Sequence, residues 1–133
     1  MPPRSVVLVV EDEALIRLSA VQVAEEAGYE VLEAGNADEA IALLEARNDI
    51  NLVFTDVHMP GTMDGMRLAH YIRNRWPPVR LMVASGVAIL SERDMPSGTS
   101  FFRKPYMESA IADEMKRLLG RTPESKSGRQ PLQ

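Results

Sequence analysis

Cysteine is absent from all 133 residues. Neither a disulfide framework nor a thiolate metal site is available, which fits a reducing compartment. Histidine occurs only twice, so no His/Cys cluster of the kind zinc takes is present. Long apolar runs are also missing. After Met1-Pro-Pro-Arg-Ser5 the first run, Val6 to Val10, is far too short for a signal peptide or a membrane span. Positive charge is in deficit, at a formal net charge of −4. That disfavours nucleic acid as a direct partner, without excluding a local basic face. The expectation from these absences is a soluble, cytoplasmic protein with no direct contact to nucleic acid or membrane.

What is present is enough for one folded unit. Hydrophobic residues make up 45% of the chain, which at this length allows a real core without covalent staples. The pattern divides into an N-terminal extension over 1–5, a domain over 6–119 and a polar tail over 120–133 that lacks apolar periodicity and reads as disordered. The tail is too short and too polar to fold into a DNA-binding unit or an enzyme. The expectation is therefore a stand-alone domain that begins at Met1, with no output domain of its own.

Apolar runs and helical stripes alternate along 6–119. Val6 to Val10 reads as a strand that stops at Glu11-Asp12-Glu13. A helix follows, with Leu15, Leu18, Val21 or Gln22, Val23 and Ala27 on its inner side and Gly28 as its stop. Tyr29 to Glu33 alternates as a strand. Asn36 is placed to cap a helix whose stripe is Ala40, Ile41, Leu43 and Leu44. The central strand, around Leu52-Val53-Phe54, ends at Asp56.

After a loop, the third helix runs from about Gly65 to Trp76, with Met66, Leu68, Ala69 and Ile72 inward, and is ended by Pro77-Pro78. Val79 to Ser85 is the fourth strand. A short, weak fourth helix is expected over Val87 to Asp94, cut off by Pro96. Phe101 to Arg103 is the fifth strand, and a last helix from about Met107 to Leu119 turns Ile111, Met115, Leu118 and Leu119 inward. Five strands alternating with five helices imply a parallel sheet with right-handed crossovers and helices on both faces.

In such a sheet the carboxyl ends of the strands open on one crevice. The residues at or just past those ends are Glu11 and Asp12, Asp56, Ser85 and Lys104. Singly, each has an ordinary explanation: acids at a helix start, a capping Asp, a turn serine, a solvated lysine. Convergence at four strand ends is what overturns those explanations. Carboxylates crowded together without a cation repel one another, and a hard divalent ion relieves them. Mg²⁺ suits this donor set better than a Ca²⁺ cage would. A lysine and a hydroxyl facing the central carboxylate are the parts needed to hold a phosphoryl group while a carboxylate oxygen attacks it in line. His70 reads as a surface residue. Met59, Met63 and Met66 read as gap-fillers, and Arg67, Arg73, Arg75 and Arg80 as a solvated face.

The acid pair Glu11-Asp12, the Asp56 of Phe-Thr-Asp-Val-His-Met-Pro with Asp64-Gly65 after it, Ser85-Gly86 and Lys104-Pro105-Tyr106 resemble the receiver domain of bacterial two-component response regulators. The resemblance spans roughly Val6 to Leu119 and implies a flavodoxin-like (βα)5 fold, strand order 2-1-3-4-5. It implies Asp56 as phosphoacceptor and Mg²⁺ (or Mn²⁺) held by Asp12, Asp56 and the backbone carbonyl of His58, with Glu11 acting through water. Ser85 would be the switch hydroxyl, Lys104 its charge partner and Phe101 the aromatic that moves with it.

The implied partners are a sensor histidine kinase and either a histidine phosphotransfer protein or a downstream effector. The chain would work as a monomer or a phosphorylation-dependent dimer, and as a signalling switch rather than an enzyme. Its output face would comprise the fourth helix, fifth strand and fifth helix. Three departures stand out: a longer loop at Gly61-Thr-Met63, a short segment between Ser85 and Phe101, and Phe101 itself, which lacks a hydroxyl and must switch by packing alone. His58 lies where side chains influence phosphoryl loss. The alternative reading is a pseudo-receiver that is never phosphorylated and serves as a protein-binding module. A phosphatase of the haloacid dehalogenase type is disfavoured because His58 stands where that family places a second Asp.

Overall fold

The computed structural model describes residues 4–59, 63–87 and 90–120. Its elements follow in the order β1 (Val6–Val10), α1 (Ala14–Glu26), β2 (Glu30–Ala34), α2 (Ala37–Ala46), β3 (Ile50–Asp56), α3 (Gly65–Arg75), β4 (Arg80–Ser85), a 3₁₀ turn (Glu92–Asp94), β5 (Ser100–Arg103) and α4 (Glu108–Leu119). The five strands form one parallel sheet in the order β2-β1-β3-β4-β5. The fold class and strand order are those the sequence implies.

Period-two alternation divides β1 between two cores. Val6, Leu8 and Val10 pack with Ala40 and Leu44 of α2 and Leu68 and Ile72 of α3. Val7 and Val9 point the other way, to Ala20, Val23 and Ala24 of α1 and Ile111 and Met115 of α4. Both faces of the central strands are covered, which is why they read as unbroken apolar runs. Fully buried side chains such as Leu8, Leu68, Ile72 and Ile111 each contribute about 1.5–3 kcal/mol.

Local signals set the helix ends. Asn36 caps α2 by accepting from Glu39 N–H at 2.9 Å, and Asp64 caps α3 by accepting from Arg67 N–H at 2.9 Å. Gly28 follows the end of α1 at φ 101°, the left-handed conformation that glycine adopts without steric cost.

Two expectations are corrected. In α1, Leu15 is 80% exposed and Leu18 49% exposed, while Ala20, Val21, Val23 and Ala24 are buried. The inner stripe is Ile16, Ala20, Val23, Ala24 and Ala27, at helical spacing but built largely on alanine. Leucine hydropathy pointed to the wrong side. Second, the described residues between β4 and β5 hold no α-helix, only the Glu92–Asp94 turn, so there are four α-helices among the described residues. Ser91 starts that turn with a capping box to Asp94, and Pro96 follows too soon for propagation.

Without a helix, carbonyls of this crossover find donors elsewhere. Arg103 donates to Val87 O and Leu90 O, the His70 ring to Asp94 O, and Arg73 to Ser97 O. His70 is the exposed, partly satisfied histidine that its place on the helix suggests, and Arg73, read as part of a solvated face, instead joins it in tying α3 to the crossover. The longer loop expected at Gly61-Thr-Met63 lies mostly outside the described residues, as do the ends of the chain at 1–3 and 121–133. Among the described residues no helix is long and apolar enough to cross a membrane.

Candidate functional site

Glu11 extends the β1–β2 ladder by one hydrogen bond, its N–H to Ala34 O at 3.0 Å, and so enters the crevice as part of the sheet. Its side chain is buried, while Asp12 next to it is exposed. Arg17, one turn into α1, donates to Glu11 O at 2.7 Å and to Glu33 Oε1 at 3.0 Å, fixing the turn between strand and helix. Glu13 N–H donates to Glu11 Oε2 at 3.1 Å. Asp56 closes β3 and is also buried. Its backbone is held by Val57 N–H, which donates to Ala84 O of β4 at 3.0 Å.

Glu11, Asp12 and Asp56 each offer a carboxylate oxygen, and the three oxygens lie within 4.8 Å of one another. Lys104 Nζ sits 2.6 Å from Asp56 Oδ1 and 3.9 Å from Glu11 Oε1. One ammonium therefore faces three carboxylates. Burial, with the charge of Asp56 and a hydrogen bond to Asp12 adding to it, pushes the Glu11 carboxyl up to about 7, against the opposing pull of Glu13 N–H and Lys104. Burial pulls the Lys104 ammonium down, but its hydrogen bond to Asp56 and the charges of Asp56 and Glu11 hold it above its ordinary value. A crevice so short of positive charge fits a hard divalent cation, and its all-oxygen donors fit Mg²⁺.

Ser85 is buried at the end of β4, and its Oγ accepts from Val87 N–H at 2.9 Å. Its carbonyl accepts from Lys104 N–H at 2.9 Å, which ties the last two strand ends together. Phe101 is half-buried against the α2/α3 core, with the Arg103 guanidinium 5.5 Å from its ring centroid. His58 is exposed on the loop after β3. The structure thus brings Glu11, Asp12, Asp56 and Lys104 together, while Ser85 is engaged with the loop that follows it.

Three contributors escaped the sequence reading. Arg17 gave no signal beyond its place one turn after the acids. Gly65 was visible in the Asp64-Gly65 pair, but its packing role was not: a Cβ there would meet Asp56 O at 1.9 Å and Val57 Cα at 2.9 Å. Tyr106 lines a small hollow beneath the acids with Phe54 and Ala20. Burial raises its phenol.

The fold is a doubly wound α/β sheet that carries an acidic cluster and a lysine at its carboxyl edge. The chain belongs to the response regulator receiver domain family, whose model matches residues 7–116. It is 37% identical over 123 residues to the response regulator protein FleR of Pseudomonas aeruginosa, a match covering 90% of this chain and 26% of FleR. It is 32% identical over 117 residues to the sensor kinase CckA of Brucella abortus, covering 85% of this chain and 12% of that protein. The chain therefore spans about a quarter of one of these relatives and about an eighth of the other.

Among solved structures it resembles the receiver domain of a hybrid histidine kinase CckA, with a TM-score of 0.72 and 33% identity, covering 86% of this chain and 98% of that one. It also resembles the response regulator protein TrrA of Thermotoga maritima in complex with Mg²⁺-BeF, with a TM-score of 0.74 and 26% identity, covering 86% and 98%.

Proposed function

We propose that this chain is the phosphoacceptor receiver of a two-component or phosphorelay system. The observation that carries the reading is Lys104 Nζ at 2.6 Å from Asp56 Oδ1, inside a crevice shared with Glu11 and Asp12. An oxygen of Asp56 attacks the phosphorus of a phosphohistidine on a sensor histidine kinase. The P–N bond breaks, and the imidazole leaves with the electron pair and takes up a proton. Lys104 balances the charge on the transferred oxygens, and Ser85 donates its hydroxyl to one of them. Asp12, Asp56 and the His58 carbonyl would hold Mg²⁺, with Glu11 acting through water. A bound Mg²⁺ neutralises negative charge that accumulates during transfer. The similar response regulator TrrA is in complex with Mg²⁺-BeF, which supports Mg²⁺ as the ion.

Phosphorylation then biases a two-state surface. With no α-helix among the described residues between β4 and β5, that surface consists of the described crossover residues, β5 and α4, with Phe101 switching by packing. The signal leaves through an effector protein or onward to a histidine phosphotransfer protein, so the chain acts as a switch rather than an enzyme and works in the cytoplasm. The test is intact-mass spectrometry after acetyl phosphate, with and without Mg²⁺, on the wild type and Asp56→Asn. A single phosphoryl adduct that requires both Mg²⁺ and Asp56 supports the reading. No adduct under any condition replaces it with a pseudo-receiver that binds protein through its fold.

A further inference from the structure

Ser85 does not hold its hydroxyl in place alone. Its Oγ accepts from Val87 N–H at 2.9 Å, so the position of this oxygen depends on where the backbone at Val87 lies. That backbone is gripped from β5. Arg103 Nη1 donates to Val87 O at 3.1 Å, Nη2 donates to Leu90 O, and the guanidinium carbon lies 5.5 Å from the centroid of the Phe101 ring. One planar fork therefore joins two carbonyls of the crossover to the aromatic side chain of β5. Ser85 and Arg103 are also register partners across β4 and β5, so the fork is anchored beside the hydroxyl it governs.

The β alternation separates two tasks on adjacent residues. Lys104 turns into the acidic crevice. Arg103 turns to the face that carries Phe101, where the fourth helix was expected. Val87 O accepts from Leu90 N–H at 3.3 Å as well as from Arg103, while Leu90 O, Asp94 O and Ser97 O accept from side chains outside the crossover. Arg103 takes two of these carbonyls, and its planar donors suit a pair of acceptors as no single ammonium could.

We propose that Arg103 is a positioning residue that holds Ser85 and Phe101 in the arrangement seen here, and so sets how readily the receiver accepts a phosphoryl group. The inference rests on the phosphoacceptor reading. For Ser85 Oγ to follow a phosphoryl group on Asp56, its bond from Val87 N–H must break or the backbone at Val87 must move with it, and the fork opposes the second course. A contact made in only one of two states shifts the equilibrium between them by its own free energy. Removing it favours the other state.

The experiment compares wild type with Arg103→Ala and Arg103→Lys by time-resolved intact mass with phosphoramidate and Mg²⁺, together with amide exchange at Val87 in the unphosphorylated proteins. Arg103 is exposed, so the variants are expected to fold, and a thermal melt checks it. Arg103→Ala is expected to take up phosphoryl about fivefold faster, the low end of allosteric couplings. Its Val87 amide is expected to exchange about tenfold faster, as a locally opened segment does. Arg103→Lys keeps the charge but not the fork and is expected to fall between. Unchanged uptake with an unchanged Val87 amide overturns the proposal. If the wild type takes no phosphoryl at all, the phosphoacceptor reading fails, and the Val87 amide alone then decides whether Arg103 positions Ser85.

Discussion

A methyl group on Gly65 would sit 1.9 Å from the carbonyl oxygen of Asp56 and 2.7 Å from its carbonyl carbon. The first residue of α3 therefore packs directly on the backbone of the residue that carries the central carboxylate. Gly65 N–H also donates to Val57 O at 2.8 Å, so the contact is bonded as well as close. The neighbour is main chain of a buried strand and cannot rotate out of the way. Gly65→Ala must push α3 off the end of β3, at a cost of about 1–3 kcal/mol or more. Urea unfolding is expected to show that loss with an unchanged slope. The tolerance of exposed Gly86, where an added Cβ would meet only Lys104 Cβ at 4.0 Å, provides the control.

Position in the fold makes Lys104 the main local counter-charge to three carboxylates. In Lys104→Met the acids are left facing one another, so a divalent cation gains more by entering. Mg²⁺ affinity is expected to rise, read as a larger Mg²⁺-induced increase in melting temperature than in the wild type. Phosphoryl uptake is expected to move the opposite way, falling about a hundredfold, as when one preorganised charge-stabilising donor is removed. Tighter metal binding with slower uptake separates a charge-balancing lysine from one that merely supports the fold. A parallel loss of both would contradict the assignment.

The two sides of α1 give a third expectation. Leu18 is about half exposed, while Ile111 on α4 is 1% exposed and packs against the α1 side of the sheet. Leu18→Ala is expected to change stability by no more than about 0.5 kcal/mol. Ile111→Ala is expected to cost about 2–5 kcal/mol. Chemical denaturation of the two variants side by side checks this, and a Leu18→Ala loss as large as that of Ile111→Ala would contradict the outward placing of Leu18.

The residues involved explain what could be read from the chain and what could not. The sheet was legible because Val6 to Val10, Leu52 to Phe54 and Leu81 to Val83 are apolar on both faces, a pattern that parallel strands produce. Strand ends then placed Glu11, Asp12, Asp56, Ser85 and Lys104 on one edge without reference to side-chain geometry. The inner face of α1 was legible only in part: Val21, Val23 and Ala27 do face the core, but Ala20 and Ala24 carry a weak hydropathy signal beside the exposed Leu15 and Leu18. The lack of an α-helix among the described residues between Ser85 and Ser100 was not legible. Its local sequence has helical spacing, but capping at Ser91 and the stop at Pro96 leave room for a single turn. The bonds from Arg103, His70 and Arg73 join positions far apart in the chain, and no local pattern announces them.

Glu11 makes the acidic crevice readable through pH. Its carboxyl is pushed up to about 7 by burial, then by Asp56 and Asp12, from an ordinary value of 4.5. Between those two values the folded protein holds a proton that the unfolded chain has released. Stability therefore falls as pH rises through this window and is largest below it. The groups held low, such as Glu114 through its Arg117 hydrogen bond, have already lost their protons by pH 5.5. Lys104, held above its ordinary value, keeps its proton throughout. Urea melts at pH 5.5 and pH 8 in the presence of a chelator are expected to show the protein less stable at the higher pH. Millimolar Mg²⁺ is expected to reverse the trend, because proton and cation compete for the same acidic crevice and the cation wins as pH rises. Glu11→Gln removes the titrating group and is expected to flatten the chelator profile. A wild-type profile that stays flat with chelator and does not respond to Mg²⁺ would show that Glu11 is not the strained acid of this site.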